Sequence, residues 1–530
     1  MARRGVSDAE ELARLLDPRL RSLSDPFLLP GMDAAVSRLL TAIDAGERIA
    51  LYGDYDVDGV TSISVLTRVL RAFGVQPAAF LPHRVDEGYG LTAEGVARCL
   101  ETHAPALLVA VDCGTTSVAE ISALRAKGID TIVLDHHEPK PELPPAAAIV
   151  NPKLGKTFHY LCSAGLAFKL SHALLKRRPV PGFDLKDVLD LTALGTVADI
   201  VPLKDENRIF VKAGLERLQQ TKWPGLRALV EVAAIHQPYT TTDIAFGLAP
   251  RLNAAGRLAS AEAALELLLC EDPVRARALA ALLDQQNRER RALEDDVLAQ
   301  AEGQLLGTYD PDSDAAIVVG SPGWHPGVVG IVASRLQRRH HRPVIVIGFD
   351  TVGVGKGSAR SIEGLPMVAA LARCTEHLDR FGGHDMAAGL SMRLECFAKF
   401  QAAFTQAARE MLSAEQLIPR LSLDAELGLA HLDLSLLDDF DRLQPFGTGH
   451  RAPVFFARKV LFAAPPRLMK ERHYSFFLRQ GRAEVRAVWW NSAEIPLPEL
   501  PWDIAFTVER NEWNGNVSAQ IQIQDVRTTL

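Results

Sequence analysis

The strongest constraint on the fold is a series of short apolar runs that each stop at acidic or histidine residues. The runs and the residues after them are 49–51 before Asp54, Asp56 and Asp58, 106–111 before Asp112, and 129–134 before Asp135, His136 and His137. Segments with helical spacing separate these runs, and alternating strands and helices are typical of a parallel, doubly wound sheet. In such sheets the ligand site lies at the carboxyl ends of the strands, where these polar residues occur.

A further carboxylate follows an apolar helix. Residues 188–197 are too apolar for a surface helix, and Asp199 comes at its exit between apolar neighbours. A buried carboxylate without a partner is unfavourable, so a bound metal ion would explain its position. A capping or turn aspartate is the alternative for this residue.

Together these side chains predict a site for two divalent cations. The candidate ligands are Asp54, Asp56, Asp58, Asp112, His136, His137 and Asp199. Mixed carboxylate and imidazole ligands suit Mn²⁺ or Mg²⁺ better than calcium or thiolate-bound zinc. Two ions about 3.5–4 Å apart stabilise the attacking and leaving oxygens of phosphoester hydrolysis. For the first motif alone, a solvated acidic turn or a calcium loop remains an alternative.

Composition narrows the class of protein. The formal charge of −7 excludes a broadly basic surface, so any nucleic-acid contact must come from a local positive groove. The six cysteines are scattered and predict neither a disulfide framework nor a zinc site. We find no signal peptide and no apolar run that could span a bilayer, so we expect a cytoplasmic protein that does not associate with a membrane.

The predicted fold class is α/β with a terminal barrel. We expect an N-terminal helical segment at 1–45, a parallel-sheet catalytic domain at 46–260, a connecting helix at 261–306 and a second α/β domain at 307–415. Five short strands toward the end of the chain predict a nucleic-acid-binding barrel of the OB type at 416–530.

Three further stretches are suited to nucleic acid. Residues 251–257 read as a small-residue turn with an arginine at each end, which could grip a phosphate. The glycine-rich stretch 353–361 could wrap an anion with backbone amides, or it could be an ordinary hairpin. Basic and aromatic residues alternate at 472–490, as in single-strand platforms, although about half of these rings could equally belong to the core.

The chain resembles the DHH phosphoesterase superfamily in the order and spacing of its motifs, which are 53–59, 111–114, 135–137 and 198–203. The resemblance extends over nearly the whole chain through 84–89, 251–257, 324–330, 357–361 and 382–384. It implies a DHH catalytic domain, a DHHA1 second domain that closes over the substrate groove, and an OB fold. Cys113 and His450 depart from the family, because asparagine is frequent at both positions, and we assign His450 no role.

The resemblance implies a 5′-to-3′ exonuclease that degrades single-stranded DNA to 5′-mononucleotides with two Mn²⁺ or Mg²⁺ ions, in DNA repair and recombination. The resemblance also implies a monomer. Its implied partners are single-stranded DNA, a single-strand-binding protein and a RecQ-type helicase. One alternative is a DHH phosphodiesterase that acts on short oligonucleotides or cyclic dinucleotides. Another is a metal-free relative that only binds nucleic acid.

The resemblance also implies roles for individual residues. The metal ligands would be Asp54, Asp56, Asp58, Asp112, His136 and Asp199, and the catalytic residues Asp112, His136 and His137. The residues that bind DNA or phosphate would be Arg84, Arg257, Ser358, Arg360 and His384. Asp135 would orient a histidine instead of binding metal itself.

Overall fold

The computed structural model of the 530-residue chain describes residues 4, 6, 8–82, 87–88, 90–258, 260–513 and 515–529, without the side chains of Leu258, Glu512, Trp513 and Asn516. The chain forms two compact units. The first comprises Met1–Ala249, Leu268–Pro273 and Leu421–Leu530, and the second comprises Pro250–Leu267 and Val274–Arg420. The beginning and the end of the chain therefore share one unit. The domain limits given above stay predictions.

The first unit opens with alternating helices and strands. Its elements up to residue 233 are α1 (Ala9–Leu16), α2 (Met32–Asp44), β1 (Ile49–Gly53), α3 (Val57–Ala72), β2 (Ala78–Phe80), α4 (Ala93–His103), β3 (Leu107–Val111), α5 (Val118–Ala126), β4 (Asp130–Leu134), β5 (Ala148–Val150), α6 (Ser163–Arg177), α7 (Leu189–Ala198), α8 (Asp205–Leu218) and α9 (Pro224–Ala233). A π-helix follows at Asp243–Leu248.

The five strands form a parallel sheet in the order β2-β1-β3-β4-β5. Every residue of β1 and β3 is buried, because helices cover both faces of a parallel sheet. Gly53 pairs with Val111, and Val111 pairs with Leu134. The three strands thus end level with one another, and the residues that follow them meet at one edge.

The turn from β1 into α3 is stabilised by its own acidic residues. The side chain of Asp56 accepts a hydrogen bond from the N–H of Gly59 at 3.1 Å and so caps α3. A Cβ at Gly59 would lie 2.4 Å from the carbonyl oxygen of Asp54. Only glycine allows the backbone to approach so closely, which fixes the acidic turn against the helix.

The second unit contains a mixed sheet and the longest helix. Its elements are α10 (Ala249–Leu258), α11 (Glu262–Leu269), α12 (Pro273–Leu305), β6 (Ile317–Pro322), α13 (Pro326–His340), β7 (Val344–Phe349), β8 (Val354–Arg360), α14 (Met367–Ala372), β9 (Arg380–Gly383), β10 (Ala387–Arg393) and α15 (Phe397–Met411), where α10, α11 and α12 run across the boundary with the first unit. The strand order is β6-β7-β8-β10-β9, with β6 and β7 parallel and the others antiparallel. Among helices in the described ranges, none has the length and apolarity needed to cross a membrane.

Two local expectations for this region were wrong, and for a third stretch, 353–361, the alternative of an ordinary hairpin is confirmed. The long helix begins at Pro273 and not near residue 261, because proline is favoured in a first helical turn and disrupts a helix interior. Residues 251–257 belong to α10 and do not form a turn, since alanines favour helix. Most of 353–361 is strand β8, which is hydrogen-bonded on both sides to β7 and β10. Its backbone amides therefore cannot wrap an anion.

The barrel completes the first unit. Its elements are β11 (Ala425–Glu426), α16 (Leu434–Arg442), β12 (Phe455–Met469), β13 (His473–Gln480), β14 (Ala483–Trp489), β15 (Trp502–Trp513) and β16 (Asn516–Thr528). The sheet order is β11-β12-β13-β14-β16-β15, and an added pairing of β12 with β15 closes it. The predicted fold class, an α/β chain with a second α/β unit and a five-stranded terminal barrel, is confirmed.

Candidate metal centre

His136 lies among the carboxylates at the edge of the parallel sheet. Its Nε2 is 3.3 Å from Asp112 Oδ1 and 3.6 Å from Asp199 Oδ2. The same nitrogen is 3.8 Å from Asp58 Oδ2. Residues that follow β1, β3, β4 and α7 therefore converge on one point, although they are far apart in sequence.

Three groups of potential ligands, two of which share Asp112, surround this point, each with atoms within 4.8 Å of one another. The groups are Asp54, Asp56 and Asp112; Asp112, His136 and His137; and Asp58, Cys162 and Asp199. The structure thus brings together all seven side chains that the sequence indicated as ligands. Cys113 is buried and is in none of these groups of described residues.

The start of α6 holds two of the carboxylates in place. The backbone N–H groups of Ser163 and Ala164 donate to the two oxygens of Asp58, at 2.7 and 2.8 Å. The hydroxyl of Ser163 donates to Asp112 Oδ1 at 2.9 Å. Amides in the first turn of a helix lack helical acceptors and attract negative charge. The helix therefore fixes these carboxylates without neutralising them.

Asp135 orients His137. Its Oδ1 accepts the backbone N–H groups of His136 and His137, at 2.7 and 3.1 Å, and lies 2.7 Å from His137 Nδ1. Although burial opposes ionisation, the hydrogen bond from His137 holds the pKa of Asp135 below its usual range. An ionised carboxylate only accepts, so His137 Nδ1 carries the proton. A metal ion or substrate oxygen at this ring would meet Nε2.

The carboxylates repel one another strongly. Burial, with the charge of Asp56, raises the pKa of Asp58 to about 6. Burial, with the charge of Asp58, raises the pKa of Asp199 to about 9, and the same causes raise the pKa of Asp112. Such shifts arise when buried acids share a site without a cation between them.

The residues present fit a pair of hard divalent cations. Asp199 Oδ2 is buried and accepts no hydrogen bond from the described residues. Burial lowers the pKa of His136 to about 3, so its ring is neutral and can donate a lone pair to a metal. Burial also raises the pKa of the Cys162 thiol well above its usual value, which disfavours the thiolate that zinc prefers. Carboxylates with neutral imidazole suit Mn²⁺ or Mg²⁺.

The sequence analysis missed the residues that support the cluster. Ser163 and Ala164 follow Asp58 by about a hundred positions, and their contribution is mainly backbone amides, which no motif records. Gly195 was also missed. A Cβ there would lie 2.4 Å from Thr61 Oγ1 and 3.1 Å from Asp58 Oδ1, so α7 could not approach α3 as it does.

Three of the predicted phosphate-binding residues contact the first two turns or the middle of α13, within the second unit. Arg360 donates to the hydroxyls of Ser358, at 2.9 Å, and Ser334, at 3.0 Å. Arg257 Nη1 donates to the carbonyl of Gly327 at 3.2 Å. A Cβ at Gly330 would lie 3.0 Å from Ser358 Oγ. The helix start, two arginines and two hydroxyls form what we call the arginine–serine group.

The arginine–serine group is suited to an anion. Burial lowers the pKa of Arg360, and none of the ion pairs between described residues involves it. The start of a helix also favours phosphate, because its free backbone N–H groups attract negative charge. His384 lies in the turn between β9 and β10, next to the backbone position of Ala387, which pairs with Arg360. Arg84 lies outside the described residues.

The barrel exposes some rings and buries others. Phe476 and Trp489, which the sequence grouped with the platform, belong to the barrel core. Trp490 is 48% exposed and its ring lies 4.8 Å from that of His473. Phe477 is 44% exposed and pairs across the sheet with Arg486, although the sequence analysis did not single it out. Its signal is the alternation along β13, where Phe476 and Leu478 face inward.

Known proteins share this architecture. Residues 48–196 match the DHH family, N-terminal domain, residues 313–410 match the DHHA1 domain, and residues 423–525 match the RecJ OB domain. The single-stranded-DNA-specific exonuclease RecJ of Dickeya dadantii is 38% identical, over 99% of this chain and 94% of the relative.

Solved structures agree with the sequence matches. RecJ from Thermus thermophilus in complex with Mn²⁺ has a TM-score of 0.84 and 35% identity, over 100% of this chain and 75% of that one. The complex of the same protein with Mg²⁺ has a TM-score of 0.79 and 32% identity, over 100% and 74%. The parallel sheet, its acid–histidine cluster and the second α/β unit define a DHH/DHHA1 protein. The chain belongs to the RecJ family.

Proposed function

We propose that this protein is a 5′-to-3′ exonuclease that degrades single-stranded DNA to 5′-mononucleotides. The observation that carries the proposal is the convergence of five aspartates and two histidines at one sheet edge. Relatives named as single-stranded-DNA-specific exonucleases match nearly the whole chain. The exposed rings and cations of the barrel support a single-stranded substrate, because stacking on aromatic rings requires unpaired bases.

The proposed metal ligands are Asp54, Asp56, Asp58, Asp112, His136 and Asp199. Bound Mn²⁺ or Mg²⁺ would supply Lewis acidity toward the scissile phosphate and make water a better nucleophile. The chain contributes rigid positioning, since α6 fixes Asp58 and Asp112 through hydrogen bonds. His137, held by Asp135, presents Nε2 to the reacting oxygens and can move a proton there.

The arginine–serine group is the proposed site for the 5′-terminal phosphate. Arg257, Ser358 and Arg360 would bind its oxygens, and a phosphate bound there would fix which end of the strand is attacked first. His384 and Arg84 would contact the strand on the resemblance alone. Binding of the terminal phosphate explains why such an enzyme would start at an end.

The finer biological setting is also part of the proposal. The protein would act as a cytoplasmic monomer beside a single-strand-binding protein and a RecQ-type helicase. A nuclease confined to single strands needs another protein to expose them, and a helicase produces that substrate. This pairing rests on the substrate class inferred above.

A substrate comparison tests the proposed activity. The purified full chain with Mn²⁺ should release mononucleotides from a 5′-phosphorylated single strand and leave a blunt duplex of the same sequence largely intact. Equal rates on the two substrates would refute the single-strand assignment. Dinucleotides and cyclic dinucleotides serve as further substrates. Faster turnover of these short substrates than of a long strand would instead favour a short-oligonucleotide phosphodiesterase.

A further inference from the structure

The backbone that follows Asp199 is strained. Ile200 has φ +61°, in the left-handed region, and its side chain is 70% exposed. A β-branched residue rarely adopts this conformation, and it persists only where the surrounding structure holds it. Something must therefore hold the segment 200–203.

That support comes from the barrel, which lies in the same compact unit. The N–H of Leu203 donates to the carbonyl of Thr448 at 2.8 Å. Gly449 has φ +70°, and a Cβ there would lie 3.0 Å from Pro202 Cβ. At Gly447, a Cβ would lie 2.6 Å from Leu203 Cδ1. We call residues 443–450 the docking loop.

Other residues of the first unit fix the docking loop from behind. Arg208 is 3% exposed and donates to the carbonyls of Leu443, Gln444 and Pro445, at 2.7–2.8 Å. Its Nε donates to Leu15 O at the end of α1. The hydroxyl of Thr241 donates to Phe446 O at 2.6 Å. A guanidinium that satisfies four carbonyls allows the loop little freedom.

Asp199 depends on this support more than Asp58 and Asp112 do. Hydrogen bonds from α6 hold Asp58 and Asp112. Asp199 Oδ2 has no hydrogen bond from the described residues, and the residue ends α7 as its C-cap. Its position is therefore set by the backbone on either side, which is α7 before it and the docked segment 200–203 after it.

We propose that the docking loop is a positioning element for Asp199, so that the barrel controls the affinity of the metal centre as well as the binding of DNA. The inference rests on the proposed metal site. It assigns a role to the stretch around His450, whose Nε2 lies 2.9 Å from Leu443 O within the loop. Disturbing the loop displaces Asp199 and weakens metal binding even when no DNA is present.

The test compares two glycine substitutions in the full-length chain. Gly449→Ala adds a methyl group against Pro202, whereas Gly481→Ala, at φ +62° in the turn between β13 and β14, meets no atom within 4 Å. At both positions the backbone is left-handed, so each alanine carries backbone strain. Isothermal titration of the DNA-free proteins with Mn²⁺ should show binding about tenfold weaker for Gly449→Ala, the size seen for groups that support a ligand. Gly481→Ala should bind like wild type.

Thr241→Val supplies a second variant without backbone strain. It removes the hydrogen bond to Phe446 O and should weaken Mn²⁺ binding in the same direction, which keeps the test decisive if Gly449→Ala does not fold. Wild-type Mn²⁺ affinity in folded variants, with only DNA binding reduced, would overturn the inference while leaving the proposed function intact. Failure of wild type itself to bind Mn²⁺ would overturn both.

Discussion

Asp112 combines two unusual properties at the end of β3. Its backbone has φ +63°, and its carboxylate is buried among other acids. Left-handed backbone at a non-glycine residue is unfavourable and is concentrated at functional sites. The hydroxyl of Ser163 donates to its carboxylate, and its own N–H donates to the carbonyl of Leu134 in β4. The fold thus sustains local strain and repulsion in order to present one carboxylate between two groups of potential ligands.

Asp190 gives a pH-dependent test at the residue scale. It is buried, accepts a hydrogen bond from Thr221 at 2.6 Å, and burial raises its pKa from 3.8 to about 6. The folded state therefore binds this proton more tightly than the unfolded state does, and its contribution to stability falls as pH rises between these values. Relative to that of Asp190→Asn, the unfolding free energy of wild type should fall by about 3 kcal/mol across this pH window.

Urea denaturation of both proteins from about pH 3 to about pH 7 measures this difference. The unfolding free energy of wild type, measured relative to that of Asp190→Asn, should fall up to about pH 6 and then stay level. A gap that does not change with pH would mean that Asp190 keeps an ordinary pKa in the folded chain.

At the residue scale, the sequence predicts the potential metal ligands better than it predicts the residues that hold them in place. The seven potential ligands stand directly after apolar runs, so the topology of a parallel sheet brings them together. Ser163 and Ala164 act mainly through backbone amides, and Gly195 acts through the absence of a side chain. None of these leaves a mark in residue type or spacing, so only the structure reveals them.

Strand β8, helix α13 and Arg257 of α10 together build the arginine–serine group. Ser358 and Arg360 are two positions apart on β8 and so lie on one face, toward Gly330 and Ser334 of α13. Because β8 is paired on both sides, the proposed anion contacts would come from side chains and the helix start. The group is a property of packed helices and a strand and not of a flexible loop.

Removal of Arg360 tests the role of these elements. Arg360→Ala should lower the ratio of cleavage rates on 5′-phosphorylated and 5′-hydroxyl strands about tenfold, the value of one charge-assisted hydrogen bond. Arg373→Ala is the matched control, since Arg373 is an exposed arginine of the same unit paired with Glu410. A ratio that stays at the wild-type value in Arg360→Ala would exclude a phosphate-binding role.

Element types were largely predictable from periodicity, and the errors have physical causes. Strands β1, β3 and β4 and the five barrel strands follow from apolar runs and alternation. Residues 353–361 resemble a loop because of their glycines, yet tertiary pairing makes most of them a central strand. The glycines fit there because Gly355 and Gly357 pack against Phe349, Ile347 and Leu390.

At the scale of the whole molecule, the last part of the chain packs with the first part in one compact unit. Residues after 421 pack with the first 249, and Arg208 and Arg4 join the N-terminal segment, the sheet domain and the barrel, with Arg4 bound to Asp424 at 2.8 Å. The sequence predicted a barrel but not that it packs with the N-terminal part of the chain, because contacts across hundreds of residues have no local signal. The barrel is therefore structurally part of the unit that holds the proposed metal centre.

The release of labelled mononucleotides from a 5′-end-labelled single strand tests the proposed metal centre most directly, with wild type and Asp112→Asn measured with Mn²⁺ and with excess chelator. We expect wild type to release label with Mn²⁺ and to stop with chelator. Asp112→Asn should bind the strand but release almost no label, because it removes a charge shared by two ligand groups. Undiminished release by chelated wild type, or by Asp112→Asn, would contradict hydrolysis at this centre.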